Sequence, residues 1–163
     1  MASALKLTME ELYVDEYQLI AIHTTLEDYR LAYFLNQSLS IKLKKCEDDL
    51  HVKSKKGESN FSRFEYENDD LCHKWNLIEN RINISNAEIE LVDDLFSSNQ
   101  NLFTTNIFLL PEFKNVDFLL KINQDVAINL VPNYISKINT IEKISMVYAI
   151  ENHKIKTKNN LIF

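Results

Sequence analysis

Two carboxylates, Glu112 and Asp117, share the segment Leu110-Pro111-Glu112-Phe113-Lys114-Asn115-Val116-Asp117-Phe118. Glu112 follows a proline, a position where a turn or short helix starts and where an acid meets the positive end of the peptide dipoles. Its other reading is an exposed carboxylate that engages an Arg or Lys of a partner. Asp117, taken as part of a strand over Val116 to Ile122, points to the face opposite Val116 and Phe118. Aspartate is depleted in strands, so Asp117 is expected either to be outward and solvated or to pair with Arg30 or Arg63. Such a pair would be structural first and functional second.

Other groups capable of chemistry are scattered. His23 ends an apolar run just before a helix start, a favoured site position in α/β folds, yet no neighbouring sequence supplies a nucleophile or second base, and a packed or capping histidine is the simpler reading. Cys46, His51, Cys72 and His73 are four zinc-ligand types without the C-x(2–4)-C or H-x(3–5)-H spacing of a tetrahedral site. No metal or cofactor is therefore expected. Gly57 is the single glycine, which excludes glycine-rich phosphate loops, dinucleotide turns and the G-x-S-x-G nucleophile elbow. Tyr29 and Tyr33, at i and i+4 with Arg30 between them, form an aromatic patch of the kind found at interaction surfaces, unless a crossing segment of the chain covers it. Phe61, Phe64, Tyr66 and Trp75 would suit a base-stacking sheet face, but the basic rim is thin and core aromatics are the better reading.

The elements that must position these residues fit one domain, residues 1–163. A chain of 163 residues, 45% hydrophobic and 26% charged, buries roughly 70% of its unfolded surface without a metal or disulfide staple. A net charge of −6 disfavours nucleic acid and anionic membranes as partners. No apolar run reaches the roughly 20 residues of a membrane span, and Met1 to Asp15 lacks a cationic leader region. The expected setting is cytoplasmic, with both cysteines reduced.

Leu19 to Ile22 is apolar without interruption and predicts a strand covered on both faces. Thr25-Leu26-Glu27-Asp28 predicts a capped helix start, and Leu31, Phe34, Leu35 and Leu39 continue at helical spacing to about Leu39. Strands are predicted at Ile41–Leu43, from Phe61 to Tyr66 and around Trp75–Glu79, the last two joined by an Asn68-Asp69-Asp70 turn. Lys53 to Glu58 reads as a polar loop, and Ser85 to Phe96 as a short acidic helix within an insertion over 83–102. Phe103 to Leu110 and Val116 to Ile122 read as strands joined by the Pro-Glu turn. Ala127, Leu130, Val131, Tyr134, Ile135 and Ile138 mark a helix kinked or started late at Pro132, and Lys143 to Ile150 a final strand. The order predicts an α+β domain with a mostly antiparallel sheet: a ferredoxin-like two-layer sandwich with extra strands and a short inserted helix. Residues 154–163 form a tail, basic at Lys154, Lys156 and Lys158 and apolar at Leu161-Ile162-Phe163, that either docks on its own domain or serves as a peptide for a partner.

The segment also reads as LPExxxVDF and resembles the signature of the bacterial IPExxxVDY family. Leu19-Ile20-Ala21-Ile22, Glu27-Asp28-Tyr29-Arg30-Leu31 with Leu35-Asn36, and Lys154 to Phe163 carry the same resemblance over nearly the whole chain. Leu110 and Phe118 depart conservatively from the named pattern, and Phe118 lacks the tyrosine hydroxyl. The resemblance implies a small cytoplasmic protein of Bacteroidetes type and assigns no chemistry.

These readings favour a non-enzymatic binding or adaptor module with a protein partner, acting through Tyr29, Arg30, Tyr33, Glu112, Asp117 or Phe163. A homodimer is compatible with them. A small-ligand sensor with a pocket lined by His23, Arg30 and Asp117 is the alternative. An enzyme using Asp117 and His23, or an RNA-associated protein, ranks lower.

Overall fold

The computed structural model describes residues 17–54, 57–68, 73–85, 104–123 and 128–163. It is an α+β domain built on a six-stranded antiparallel sheet. In chain order the elements are β1 (Tyr17–Thr24), α1 (Asp28–Leu39), β2 (Lys44–Lys45), β3 (Leu50–Ser54), β4 (Gly57–Phe61), β5 (Arg63–Asn68), β6 (His73–Glu79), β7 (Arg81–Ser85), β8 (Thr104–Phe108), β9 (Phe118–Asn123), α2 (Val131–Asn139) and β10 (Ile144–Ile150). The main sheet has the order β10-β1-β9-β6-β5-β2, while β3-β4 and β7-β8 form separate two-stranded sheets.

Leu19, Ile20, Ala21 and Ile22 are all fully buried because both faces of the main sheet are covered. Ile20 and Ile22 point with Leu77, Leu120 and Ile122 toward α1 and α2. Leu19 and Ala21 point with Ile78 and Leu119 to the other face, beneath Phe61, Leu109, Leu110, Ile155 and Leu161. Each large side chain so buried contributes about 1.5–3 kcal/mol.

The helix α1 buries Leu31, Ala32, Leu35 and Leu39, close to the predicted stripe. Its start differs: Glu27 is the N-cap residue and no side chain caps it. Thr24, rather than Thr25, bonds the chain there, its Oγ accepting the Leu26 N–H at 3.1 Å. At the other end Ser40 takes a left-handed conformation, φ 56°, and the Asn36 side chain accepts from Leu43 N at 2.7 Å and donates to Leu43 O at 3.1 Å. That side chain imitates a strand partner and fixes the exit of the helix. Pro132 lies in the first turn of α2, where its missing N–H has no intrahelical partner to lose, so the late start is observed.

Three other sequence expectations change. Residues 41–43 are not a strand; pairing with β5 starts at Lys44. Lys53 to Glu58 is not simply a loop, because β3 and β4 pair from Leu50↔Phe61 to Ser54↔Gly57. Asp117 precedes β9 rather than lying in it, which removes the conflict with strand propensity. The acidic helix expected after Ser85 lies outside the described residues, as does most of the 83–102 segment.

Candidate functional site

The Leu110–Phe118 segment is organised from an unanticipated residue, Asn80, between β6 and β7. Its side chain is fully buried and donates to Phe113 O and Val116 O, both at 2.9 Å, while Oδ1 accepts the Leu110 N–H at 2.9 Å. Its backbone donates to Asp117 O and accepts from Leu109 N, each at 2.8 Å. Five bonds from one residue hold both ends of the Pro111–Phe113 3-10 turn against the sheet. An apolar strand ending in Glu79-Asn80-Arg81 was the available signal, and it is a weak one.

Pro111 opens that turn and Glu112 follows it as the acid of the first turn, with its carboxylate directed to residues 156–157. Oε1 accepts from the N–H groups of Lys156 at 2.7 Å and Thr157 at 3.0 Å, and the Thr157 hydroxyl donates to both oxygens. Burial works to raise its pKa, but these donors, the Thr157 N–H first, hold the carboxyl below the usual carboxylate range. Downstream, the Asn160 amide donates to Leu109 O at 2.7 Å, and buried Lys121 donates to Leu161 O at 2.6 Å. The Lys121 ammonium lies 4.6 Å from the Phe163 ring centroid and the Arg63 guanidinium 5.2 Å from it, so two cations engage the ring through its π face. The tail is therefore docked.

Asp117 joins three strand ends. Oδ2 accepts the Thr24 N–H at 3.0 Å, Oδ1 binds Arg81 at 2.8 Å, and the Asp117 N–H donates to Ile22 O at 3.2 Å. Its ion-pair partner is Arg81, not Arg30 or Arg63. Pairing of Glu79 with Phe118 in the β6–β9 ladder brings residue 81 alongside 117. Arg30 is exposed on α1 and forms no hydrogen bond or ion pair among the described residues, while Arg63 lies over Phe163.

Asp117 and Arg81 line a cleft of about 190 Å³ with Thr24, Glu79, Asn83 and Phe118. Burial pushes the Glu79 carboxyl up, and Asp28 adds to the rise. The cleft is smaller than the ~300–1,000 Å³ of ordinary ligand pockets, and neither His23 nor Arg30 lines it. His23 instead stacks on Tyr148, ring centroids 5.7 Å apart. Among the described residues no group of three or more His, Cys, Asp or Glu side chains could hold a metal ion; Cys72 lies outside them. Among them, too, no helix is long and apolar enough to cross a membrane.

The aromatic residues do not form one stacking platform. Phe61 is buried on the tail face of the sheet, whereas Phe64 and Trp75 are buried on the helix face, with Tyr66 packed against them. What the fold leaves outside is the outward side of α1, where Tyr29 is 60% and Tyr33 58% exposed. Tyr33 stands edge-on to Phe34 at 5.5 Å, and its hydroxyl accepts a 2.8 Å hydrogen bond from Gln37. These contacts hold an aromatic side chain in place while leaving most of its surface to solvent.

Comparison with protein-family models, with curated proteins and with solved structures finds no match for this chain.

Proposed function

We propose that this chain is a non-enzymatic protein-binding or adaptor module whose contact surface is the outward face of α1, carried by Tyr29, Arg30 and Tyr33. The observation that carries the reading is a contrast. The two tyrosines stand more than half exposed on a helix whose opposite side is fully buried, while Glu112, Asp117 and Phe163 make their contacts inside the chain. Tyrosine and arginine dominate binding hot spots because each offers a large, partly apolar surface with a polar end. A photo-cross-linking residue in place of Tyr33 tests the reading: a reproducible stoichiometric protein adduct is expected, and its absence counts against it.

Several broader assignments belong to the same proposal. Membership of the IPExxxVDY family is supported by the quoted segments, and a cytoplasmic setting by the composition. A ferredoxin-like description is supported by the order β10-β1-β9-β6, with α1 following β1 and α2 linking β9 to β10; β5 and β2 would then be additions at one edge.

A second reading, a small-ligand sensor, rests on the cleft in which Glu79 is held partly buried beside the Arg81–Asp117 pair. A thermal-shift screen of small cationic and neutral polar ligands tests it. Protection that Glu79→Gln abolishes would favour this reading, and a screen without hits would remove it.

A further inference from the structure

Asn76 and Asn80 are both fully buried, yet they are used in opposite ways. Asn80 spends its side chain on holding the Leu110–Val116 turn. Asn76, in β6, has no hydrogen-bond partner for either its amide nitrogen or its Oδ1 among the described residues. A buried amide in that state costs stability, and a leucine of like volume would fill the space without that cost.

On the tail face of the sheet Asn76 stands opposite Lys121 of β9 and Glu65 of β5, and the next pair on that face sets Arg63 opposite Ile78. The Phe163 ring packs against the cluster that contains Ile78, between the Lys121 ammonium and the Arg63 guanidinium. Because β6 lies between β5 and β9, the ring bridges β6 beside Asn76. Arg63 Nε is likewise buried without a partner among the described residues. The open groups are thus two donors, Arg63 Nε and Asn76 Nδ2, and one acceptor, Asn76 Oδ1. A hydrocarbon ring has no lone pair and no N–H with which to answer them.

We infer that the Phe163 ring occupies a binding site for a pyrimidine, taken as the free base or its nucleoside. The ring it displaces is six-membered and flat, and the flanking cations engage a π face. The hydrogen-bonding edges of uracil and cytosine each carry two acceptors and one donor, the complement of the open groups. An oxyanion fits less well, because it would leave Asn76 Oδ1 unanswered and meet the Glu65 carboxylate on the same row. The tail is anchored up to Leu161 by Glu112, Leu109 O and Lys121. Beyond that Ile162 is 69% exposed, so the ring can swing out without undoing the tail.

The test is a nuclear magnetic resonance titration of the full, isotope-labelled chain with uracil, cytosine, uridine and cytidine, and with benzyl alcohol and benzoate as controls. Saturable binding of at least one pyrimidine is expected, with the Asn76 side-chain amide resonances among those that shift. Phe163→Ala removes the competing ring and should tighten binding about tenfold or more. Asn76→Leu, shown to be folded by circular dichroism, should abolish binding without lowering the thermal midpoint. The amide resonances of the unaltered chain report the contact independently of any substitution. The inference is overturned if no pyrimidine binds saturably to either the unaltered chain or Phe163→Ala. Binding that leaves the Asn76 amide unmoved, that survives Asn76→Leu, or that either control matches in strength also overturns it.

Discussion

The Glu112 carboxylate accepts the Thr157 N–H at 3.0 Å and the Thr157 hydroxyl at 3.1 and 3.0 Å, across 45 positions of sequence. A proline-acid pair that resembles an active-site signature thus serves as the anchor of the tail. With Lys121 on Leu161 O and Asn160 on Leu109 O, it closes the second face of the sheet over Leu19, Ala21 and Leu119.

Replacing Glu112 by Gln keeps the shape and removes the charge, and should weaken the tail first. Charge-assisted hydrogen bonds contribute about 1.5–3 kcal/mol when buried, and the partial exposure here reduces that to about 1 kcal/mol or less. Faster amide exchange and proteolysis within 154–163, with α1 unchanged, is the expected result.

Acid should act in the same direction. The folded-state pKa of Glu112 is depressed, so its contribution is present above the unfolded carboxylate value, about 4.3. It is lost as pH falls through the lower folded value. Tail exchange measured against pH should therefore accelerate below about pH 4, and the Glu112→Gln variant should lose that part of the pH dependence.

Asn80→Ala should be among the most damaging polar substitutions. It leaves two carbonyls and one N–H of the Leu110–Val116 turn without their partner in a buried setting. At about 1–3 kcal/mol for each buried unsatisfied group, partly relieved by water, the expected loss is about 2–4 kcal/mol in denaturant unfolding. Asn80→Asp should not rescue it, because the amide donors are what Phe113 O and Val116 O require.

Glu79 carries the opposite sign from Glu112. Its folded pKa is raised, first by burial and then by Asp28, so the charged form opposes folding at neutral pH and the penalty fades as the group protonates. Glu79→Gln should raise the unfolding midpoint at pH 7, and the gain should shrink as pH drops toward the usual carboxylate range.

How far the sequence was readable follows from the distance over which each signal acts. The apolar run Leu19–Ile22 and the Leu31/Leu35/Leu39 stripe announce their elements because burial imposes its period locally. The β3–β4 hairpin was hidden because His51, Lys53, Glu58 and Asn60 face outward and leave little apolar alternation to detect. The Asp117–Arg81 pair depends on the β6–β9 register, so no local pattern could choose Arg81 over Arg30 or Arg63. The Glu112–Thr157 contact spans most of the final third of the chain, and its acceptor meets mainly backbone N–H groups, which every residue but proline offers. The Tyr29/Tyr33 patch was legible as a spacing; its exposure was not, since it depends on what crosses α1.

The central claim is that the α1 tyrosines meet a partner while the LPExxxVDF segment is internal structure. Its most direct measurement compares the cross-linked adduct formed from a probe at Gln37 in three folded proteins: the unaltered background, Tyr29→Ala with Tyr33→Ala, and Glu112→Gln. The adduct should persist with Glu112→Gln and be lost with the tyrosine pair. Loss of the adduct with Glu112→Gln and its retention without the tyrosines would contradict the claim.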